Sequence, residues 1–163
     1  MVSRVGNGLK VLDVGCGDGV LSEPIWKMGN HVTSIELPTI ATLAKKCQVP
    51  SVVAGDAEQL AFASNSFDVV LASEVVEHLW HPQSFLDEAH RVLKSNDYLI
   101  IETPEGEEGL HYDSHKHYFT VERLEQILGA RFTLCEVKRL EATGSAQTPT
   151  IILLLRKSAS EKN

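Results

Sequence analysis

Three alternating glycines near the start of the chain follow an apolar run that contains one aspartate. Gly15, Gly17 and Gly19 come directly after the run from Leu9 to Val14, and Asp13 lies near the end of that run. Residues without a Cβ atom let the backbone turn sharply and lie against a bound ligand. The Asp13 carboxylate would attract a cationic group and oppose a pyrophosphate. This stretch therefore predicts a site for a nucleotide-like ligand that carries positive charge.

The spacing of these glycines differs from that of a dinucleotide-binding loop. The dinucleotide pattern is G-x-G-x-x-G, in which the third glycine lets the following helix pack closely on the strand. Here the third glycine comes one residue earlier, and Val20 occupies the position of the dinucleotide glycine. A dehydrogenase is therefore only a distant alternative.

The elements around the loop predict an α/β unit. The apolar run is a buried strand, and an amphipathic helix with Leu21, Ile25 and Met28 on one face follows the loop. His31 to Glu36 is the second strand. Glu36 lies about twenty residues after the loop, where a carboxylate can accept both hydroxyls of a ribose. The alternative for Glu36 is a solvated charge at a strand end.

The rest of the chain continues the alternation of strands and helices. A helix from Pro38 to Lys46 precedes a third strand at Ser51 to Gly55, and a second long helix begins at Pro82. Ligands of open α/β sheets bind outside the carboxyl ends of the strands, so Ser73 to His81, after the fourth strand, should line a cleft. The remaining predicted elements are strands at Phe67–Ala72, Tyr98–Glu102, Arg131–Leu140 and Ile151–Leu155, with the last two antiparallel, and a helix capped by Thr120.

Taken together, these segments resemble the class I S-adenosylmethionine-dependent methyltransferases, in the type 11 branch that includes ubiquinone-pathway O-methyltransferases. The resemblance rests on Val11–Gly19, Glu36, Asp56-Ala57, Phe67–Ala72 and Glu88–Lys94, and it extends from Leu9 to about Arg156. It implies an α/β fold with a Rossmann-like doubly wound seven-stranded sheet, mostly parallel with an antiparallel last strand, in the order 3-2-1-4-5-7-6. It also implies one domain at 1–158 and a disordered tail at 159–163.

The resemblance assigns S-adenosylmethionine as the cofactor and gives its parts to particular residues. Asp56 could instead cap a helix. The implied cofactor residues are Asp13, Gly15 and Gly17 at the methionine end, Glu36 at the ribose, Asp56 and Ala57 at the adenine, and Ser73 and Glu74 on the path to the methyl group, together with Cys16 and Leu37.

A hydroxyl acceptor must lose its proton, and histidine is the side chain best suited to remove it near neutral pH. His78, His115 and His117 are base candidates by position. A divalent metal is the sharper hypothesis, because Glu74, Glu77 and His78 would share one face of a helical turn, and His115 could add a fourth ligand. Such a set suits zinc, manganese or iron. It resembles the small-RNA 3′-terminal 2′-O-methyltransferases; in the alternative, His78 simply hydrogen-bonds within the cleft wall.

Composition restricts the partners. The formal net charge of −7 argues against a broad nucleic-acid interface, so nucleic acid is an unlikely partner. The three cysteines form no C-x-x-C pair, which favours reduced thiols and a cytoplasmic location. No apolar run is long enough to span a membrane. The sequence gives no indication of oligomeric state.

Trp80 and His81 either stack on a flat acceptor or lie at the edge of the core.

The leading hypothesis is a methyltransferase that acts on a small molecule, at oxygen. Two alternatives stay open: a metal-dependent 2′-O-methyltransferase of an RNA 3′ end, and a cofactor-binding or scaffolding domain without turnover.

Overall fold

A computed structural model describes residues 6–46, 51–106, 114–142 and 148–158. The predicted disordered tail at 159–163 lies outside these ranges. The prediction of one domain over 1–158 stays a prediction. No helix within the described ranges combines the length and apolar content needed to cross a membrane.

Most predicted elements are present, with ends that differ by a residue or two. The second strand, the helix at Pro38 and the helix at Pro82 begin where the sequence indicated. The strands are β1 (Lys10–Val14), β2 (His31–Glu36), β3 (Val52–Ala54), β4 (Phe67–Ser73), β5 (Leu93–Pro104), β6 (Phe132–Leu140) and β7 (Thr150–Lys157); the α-helices are α1 (Ser22–Lys27), α2 (Pro38–Lys46), α3 (Pro82–Val92) and α4 (Val121–Leu128).

The strands form one seven-stranded sheet in the order β3-β2-β1-β4-β5-β7-β6. Strands β1 to β5 pair in parallel, whereas β7 pairs antiparallel with both β5 and β6. Parallel strands share a carboxyl edge, so the ends of β1, β2 and β4 meet on one side of the sheet. The predicted fold class and strand order are confirmed.

The two faces of the sheet bury different apolar sets because side chains alternate along each strand. Leu12 and Val14 of β1 join the larger cluster, which includes Phe85 of α3 and Leu124 of α4. Val11 joins a smaller cluster with Ile25 of α1, Leu71 and Ile100. Burial on both faces holds β1 rigidly at the centre of the sheet, and the glycine loop extends from its carboxyl end.

Two local differences from the predictions have tertiary causes. The predicted turn at Ser95 to Asp97 lies inside β5, which begins at Leu93 because that residue pairs with Phe67 of β4. The turn survives only as Asn96, whose φ of 67° is left-handed. Met28, predicted on the buried face of the first helix, is exposed because α1 ends at Lys27.

Candidate cofactor and acceptor site

One cavity of about 960 Å³ lies at the carboxyl ends of the central strands. Every residue predicted to hold the cofactor lines this cavity, although these residues come from four separate parts of the sequence. That they hold a cofactor stays a prediction. The cavity is lined by Asp13, Val14, Gly15, Cys16, Gly17, Asp18, Val20, Leu21, Ile35, Glu36, Leu37, Ile40, Gly55, Asp56, Ala57, Ser73, Glu74, Val75, His78, Leu79, Trp80, Ser114 and Lys116.

The glycine loop turns through left-handed backbone at Gly15, Gly17 and Gly19, with φ of 68°, 53° and 84°. At Gly15 a Cβ atom would lie 2.4 Å from Cγ2 of Val75, so this glycine is required by close packing as well as by its φ. At Gly17 a Cβ atom would meet no atom within 4 Å, and the space beside it belongs to the cavity. Gly15 therefore serves the fold, and Gly17 leaves room for a ligand.

Asp13 is a buried carboxyl group at the wall of the cavity, with only 2% of its surface exposed. It accepts a hydrogen bond from the Ser22 hydroxyl, which lies 2.8 Å from the Ser34 hydroxyl. The pKa of Asp13 is raised to about 6, mainly by burial, which the Ser22 hydrogen bond opposes and the nearby Glu36 carboxylate reinforces. A cationic ligand would favour the ionised form. The same surroundings raise the pKa of the Cys16 thiol to about 12, mainly through burial, so that thiol stays protonated.

Glu36 ends β2 with both carboxylate oxygens already fixed. Oε1 accepts from the Leu37 backbone N–H at 2.7 Å, and Oε2 accepts from the Gly17 N–H at 2.9 Å. Each oxygen has a further lone pair, so the carboxylate can still accept from a diol. Glu36 is buried, which excludes the solvated strand-end charge.

Asp56 and Ala57 form the third side of the cavity, just after β3. Asp56 is exposed and its Oδ1 accepts from the Glu58 N–H at 2.8 Å. It therefore caps a turn, and the helix-cap alternative is wrong, because the backbone after it bridges Asp56 to Gln59 instead of entering a helix. Ala57 packs against the main core cluster.

Three carboxyl groups, those of Glu74, Glu77 and Glu102, gather where β4 and β5 end. The Glu74 N–H donates to the Glu102 carbonyl at 2.9 Å, and this bond accompanies a left-handed φ of 54° at Glu74. Although Glu74 is exposed by surface area, it lies close to the acidic side chains of Glu77 and Glu102. Partial burial, followed by the charges of Glu77 and Glu102, raises its pKa to about 7. The Glu102 carboxylate in turn accepts from the Ser73 hydroxyl at 2.8 Å.

The prediction that Glu74, Glu77 and His78 share a helical face is wrong. The only helical turn here is a 3₁₀ turn at Val76–His78, and Glu74 precedes it in left-handed backbone. The structure instead groups Glu77, His78 and His115, each of which offers a ligand atom within 4.8 Å of the others. Glu74 is not part of that group.

Glu77 is nearly fully buried, and burial raises its pKa. Its Oε2 accepts from the Thr103 hydroxyl at 2.9 Å, whereas Oε1 has no hydrogen-bond partner among the described residues. The His78 Nε2 atom lies 3.9 Å from that Oε1, too far for a hydrogen bond.

The three base candidates have different surroundings. His78 lines the cavity, and its Nδ1 lies 3.1 Å from the Ser114 carbonyl, so Nδ1 must be the donor in that bond. The other ring nitrogen is then free to accept a proton. His115 packs edge-on against His78, with ring centroids 4.6 Å apart. Neither His115 nor His117 is among the described residues that line the cavity.

Two contributors to the site went unrecognised in the sequence. Glu58 accepts from the backbone N–H groups of Trp80 and His81, and from the His81 ring at 2.8 Å. These bonds lower its pKa against the raising effect of burial. Lys116 lies at the cavity mouth beside Trp80, which is 74% exposed, so the core-edge alternative for Trp80 is wrong. The contacts that Glu58 and Lys116 make here each join segments more than twenty residues apart, and no local sequence pattern indicates them.

The sheet and the cavity together define an α/β protein with a doubly wound sheet and acidic groups at the tips of neighbouring strands. The family model described as "Methyltransferase domain" matches residues 12–101. The chain belongs to this family, which confirms the resemblance found in the sequence.

Curated relatives include the ubiquinone biosynthesis O-methyltransferases of Azorhizobium caulinodans and of Cereibacter sphaeroides. They are 39% and 40% identical over 102 residues, which is 59% of this chain. The match spans only 40% and 41% of those proteins, so the chain covers less than half of their length.

Solved structures show the same fold over nearly the whole chain. A Bacillus halodurans protein, described as a putative methyltransferase, has a TM-score of 0.82 at 19% identity, covering 97% of this chain and 99% of that one. The 1,6-didemethyltoxoflavin-N1-methyltransferase of Burkholderia thailandensis, solved with bound 1,6-didemethyltoxoflavin and S-adenosylhomocysteine, has a TM-score of 0.79 at 22% identity. That match covers 96% of this chain and 74% of the other.

Proposed function

We propose that this chain binds S-adenosylmethionine and transfers its methyl group to a hydroxyl oxygen of a small molecule. The observation that carries the proposal is the convergence of the predicted cofactor residues on one cavity of about 960 Å³. The family match and the O-methyltransferase relatives support it. We also propose a cytoplasmic location, because the three cysteines form no C-x-x-C pair and because Cys16 and Cys135 are free thiols.

The residues present fit this cofactor. Asp13 supplies a buried negative group for an ammonium or sulfonium. Glu36 supplies paired acceptors for a ribose diol, and Asp56 has acceptor oxygens at the position implied for an adenine amino group. The carboxylates that line the cavity oppose a diphosphate, which disfavours a dinucleotide.

The chemistry supplied by the bound cofactor is an electrophilic methyl group attached to a sulfonium. The protein's part is to align the acceptor, exclude water and remove a proton. His78 is the described base candidate that reaches the cavity, and its Nδ1 contact with the Ser114 carbonyl leaves Nε2 to take that proton. His115 then packs against the His78 ring, and His117 packs against Phe119.

Isothermal titration with S-adenosylhomocysteine tests the proposal, with NAD as the matched nucleotide that carries a diphosphate. We expect heat of binding and a higher melting temperature with the first ligand only. Binding of NAD in preference to S-adenosylhomocysteine would contradict the proposal and favour a dehydrogenase. Binding of S-adenosylhomocysteine without methyl transfer to any acceptor would favour the scaffolding alternative.

A second candidate adds a divalent metal of the zinc, manganese or iron type to the same reaction. The observation that favours it is the cluster of Glu77, His78 and His115. Metal–ligand bonds of about 2.1 Å to oxygen and nitrogen can span the 3.9 Å between Glu77 Oε1 and His78 Nε2. Such an ion would lower the pKa of a hydroxyl acceptor, and it is required for the RNA 3′-end alternative.

Metal content after dialysis against zinc or manganese, measured by mass spectrometry, tests this candidate without an activity assay. We expect about one ion per chain in the wild type and loss of that ion in Glu77→Gln, whose amide oxygen can still accept from Thr103. Equal metal content in both proteins would contradict the metal site. Methyl transfer that survives thorough chelation would argue against the RNA alternative.

A further inference from the structure

The mouth of the cavity carries one large aromatic ring and one ammonium group in contact. The Lys116 Nζ atom lies 4.6 Å from the centroid of the Trp80 ring, within the range of a cation–π interaction. The same Nζ donates to the His78 carbonyl at 2.6 Å. Both residues line the cavity, and Trp80 is 74% exposed.

The backbone that carries Trp80 is held in place by specific hydrogen bonds. Its backbone N–H and that of His81 donate to Glu58 Oε1 at 2.7 and 3.0 Å. Exposing so large an apolar ring has a cost that burial against a ligand would recover. An exposed ring beside a cavity, on a backbone held in place, offers a surface on which a flat ligand can stack.

Lys116 brings the opposite charge to an acidic cavity. Among the described residues that line the cavity, it is the only lysine or arginine, whereas Asp13, Glu36 and Glu74 are all acids. An ammonium group has three N–H donors, and the His78 carbonyl takes one of them. The others are available for an anionic oxygen at the cavity mouth.

We propose that Trp80 and Lys116 determine acceptor specificity by selecting a flat aromatic hydroxy compound that carries a carboxylate or similar anionic oxygen. The inference rests on the proposed function, because it assigns the acceptor of that reaction. The aromatic ring packs against the Trp80 indole, and the anionic oxygen pairs with the Lys116 ammonium. Because the Lys116 ammonium contacts the Trp80 ring, a ligand that binds both must carry its aromatic ring and its anionic oxygen close together.

The experiment measures binding of two matched probes, 4-hydroxybenzoate and the neutral 4-hydroxybenzamide. The chain has two tryptophans, so Trp26→Phe leaves Trp80 as the only indole and its fluorescence as the reporter. We expect both probes to quench this fluorescence, with 4-hydroxybenzoate binding roughly fivefold more tightly, as one partly solvated ion pair allows. In Lys116→Met the difference between the probes should vanish, whereas Lys116→Arg should retain it.

Lys27→Met is the control variant, because it removes the same charge from the exposed face of α1, where Lys27 pairs with Glu23. It should leave the preference unchanged. Equal binding of the two probes to the parent protein, or an equal loss of preference in Lys27→Met, would overturn the inference. So would a fluorescence that neither probe changes.

The cofactor's own carboxylate is a second source of anionic oxygen, and titration of each variant with S-adenosylhomocysteine separates the two sources. We expect its affinity to be the same in Lys116→Met and in the parent. A tenfold loss there would assign Lys116 to the cofactor and overturn the acceptor role. If the parent fails to bind S-adenosylhomocysteine, the proposed function fails by that result, independently of the probe preference.

Discussion

Replacing Glu36 with glutamine separates the two tasks that this side chain is proposed to perform. Its carboxylate accepts from the Leu37 N–H at 2.7 Å and from the Gly17 N–H at 2.9 Å, so it ties β2 to the glycine loop. The same oxygens are the proposed acceptors for the ribose hydroxyls. Glutamine has nearly the same shape but only one acceptor oxygen, and its amide NH₂ can only donate.

The magnitude follows from the lost acceptor. In Glu36→Gln the amide NH₂ must face either a backbone N–H or the ligand hydroxyls, and Glu36 is only 8% exposed, so water replaces little of what is lost. Loss of a hydrogen bond to a buried charged group costs about 1–3 kcal/mol. We therefore expect the dissociation constant for S-adenosylhomocysteine to rise by roughly 5- to 150-fold. Glu36→Ala should weaken binding within the same range or beyond it.

The assay is isothermal titration with S-adenosylhomocysteine, alongside urea unfolding of the ligand-free proteins. Glu23→Gln makes the same change at a more exposed position on α1, and it should alter neither measurement appreciably. An unchanged dissociation constant in Glu36→Gln would remove Glu36 from the site. A large loss of folding stability with unchanged affinity would show that the carboxylate serves only to hold the loop.

Three further changes test the glycine loop and its aspartate. Burial raises the pKa of Asp13 to about 6 from an ordinary 3.8, so between these two pH values the folded state holds a proton that the unfolded state has released. The free energy of unfolding therefore falls as the pH rises across this range, by up to about 3 kcal/mol. Asp13→Asn should flatten this fall in urea titrations at pH 4 to 7, and parallel curves would contradict the raised pKa. Gly15→Ala should lower the free energy of unfolding by about 1–3 kcal/mol more than the control Gly8→Ala, because both have positive φ but only Gly15 faces Val75; equal losses would contradict the packing. Gly17→Ala should unfold like Gly8→Ala yet weaken S-adenosylhomocysteine binding, and wild-type affinity would show that the ligand does not approach Gly17.

The sheet could be predicted because its signals are local. The apolar run before Gly15, the Glu36 carboxylate at the end of β2 and the apolar residues of β7 each indicate a strand and its end without reference to the rest of the chain. Parallel strands bring their ends to one edge, so the sequence order of these motifs was enough to place in one cavity the residues predicted to hold the cofactor.

The segment after β4 could not be predicted in the same way, because its geometry depends on contacts between distant parts of the chain. Glu74, Glu77 and His78 have helical spacing in the sequence. Glu74 nevertheless lies outside the 3₁₀ turn, because its N–H bonds to the Glu102 carbonyl. Likewise, His115 meets His78 because the Lys116 and His117 N–H groups donate to the Glu77 carbonyl and bring the later loop to the 3₁₀ turn. Local periodicity carries no information about these bonds.

Asp13 connects the stability of the fold with the charge of its proposed ligand. Its carboxyl group is buried at the end of the central strand, where a neutral side chain would cost less free energy to bury. The Glu36 carboxylate also repels the ionised form of Asp13. A cation placed against the carboxylate would offset both the cost of burying its charge and the repulsion from Glu36, and it would lower the pKa of Asp13. Binding near pH 6 should therefore release a proton, which titrations in buffers of different ionisation heat would detect. A neutral or phosphorylated ligand would produce no such release, so the proton balance distinguishes the charge of the ligand independently of its affinity.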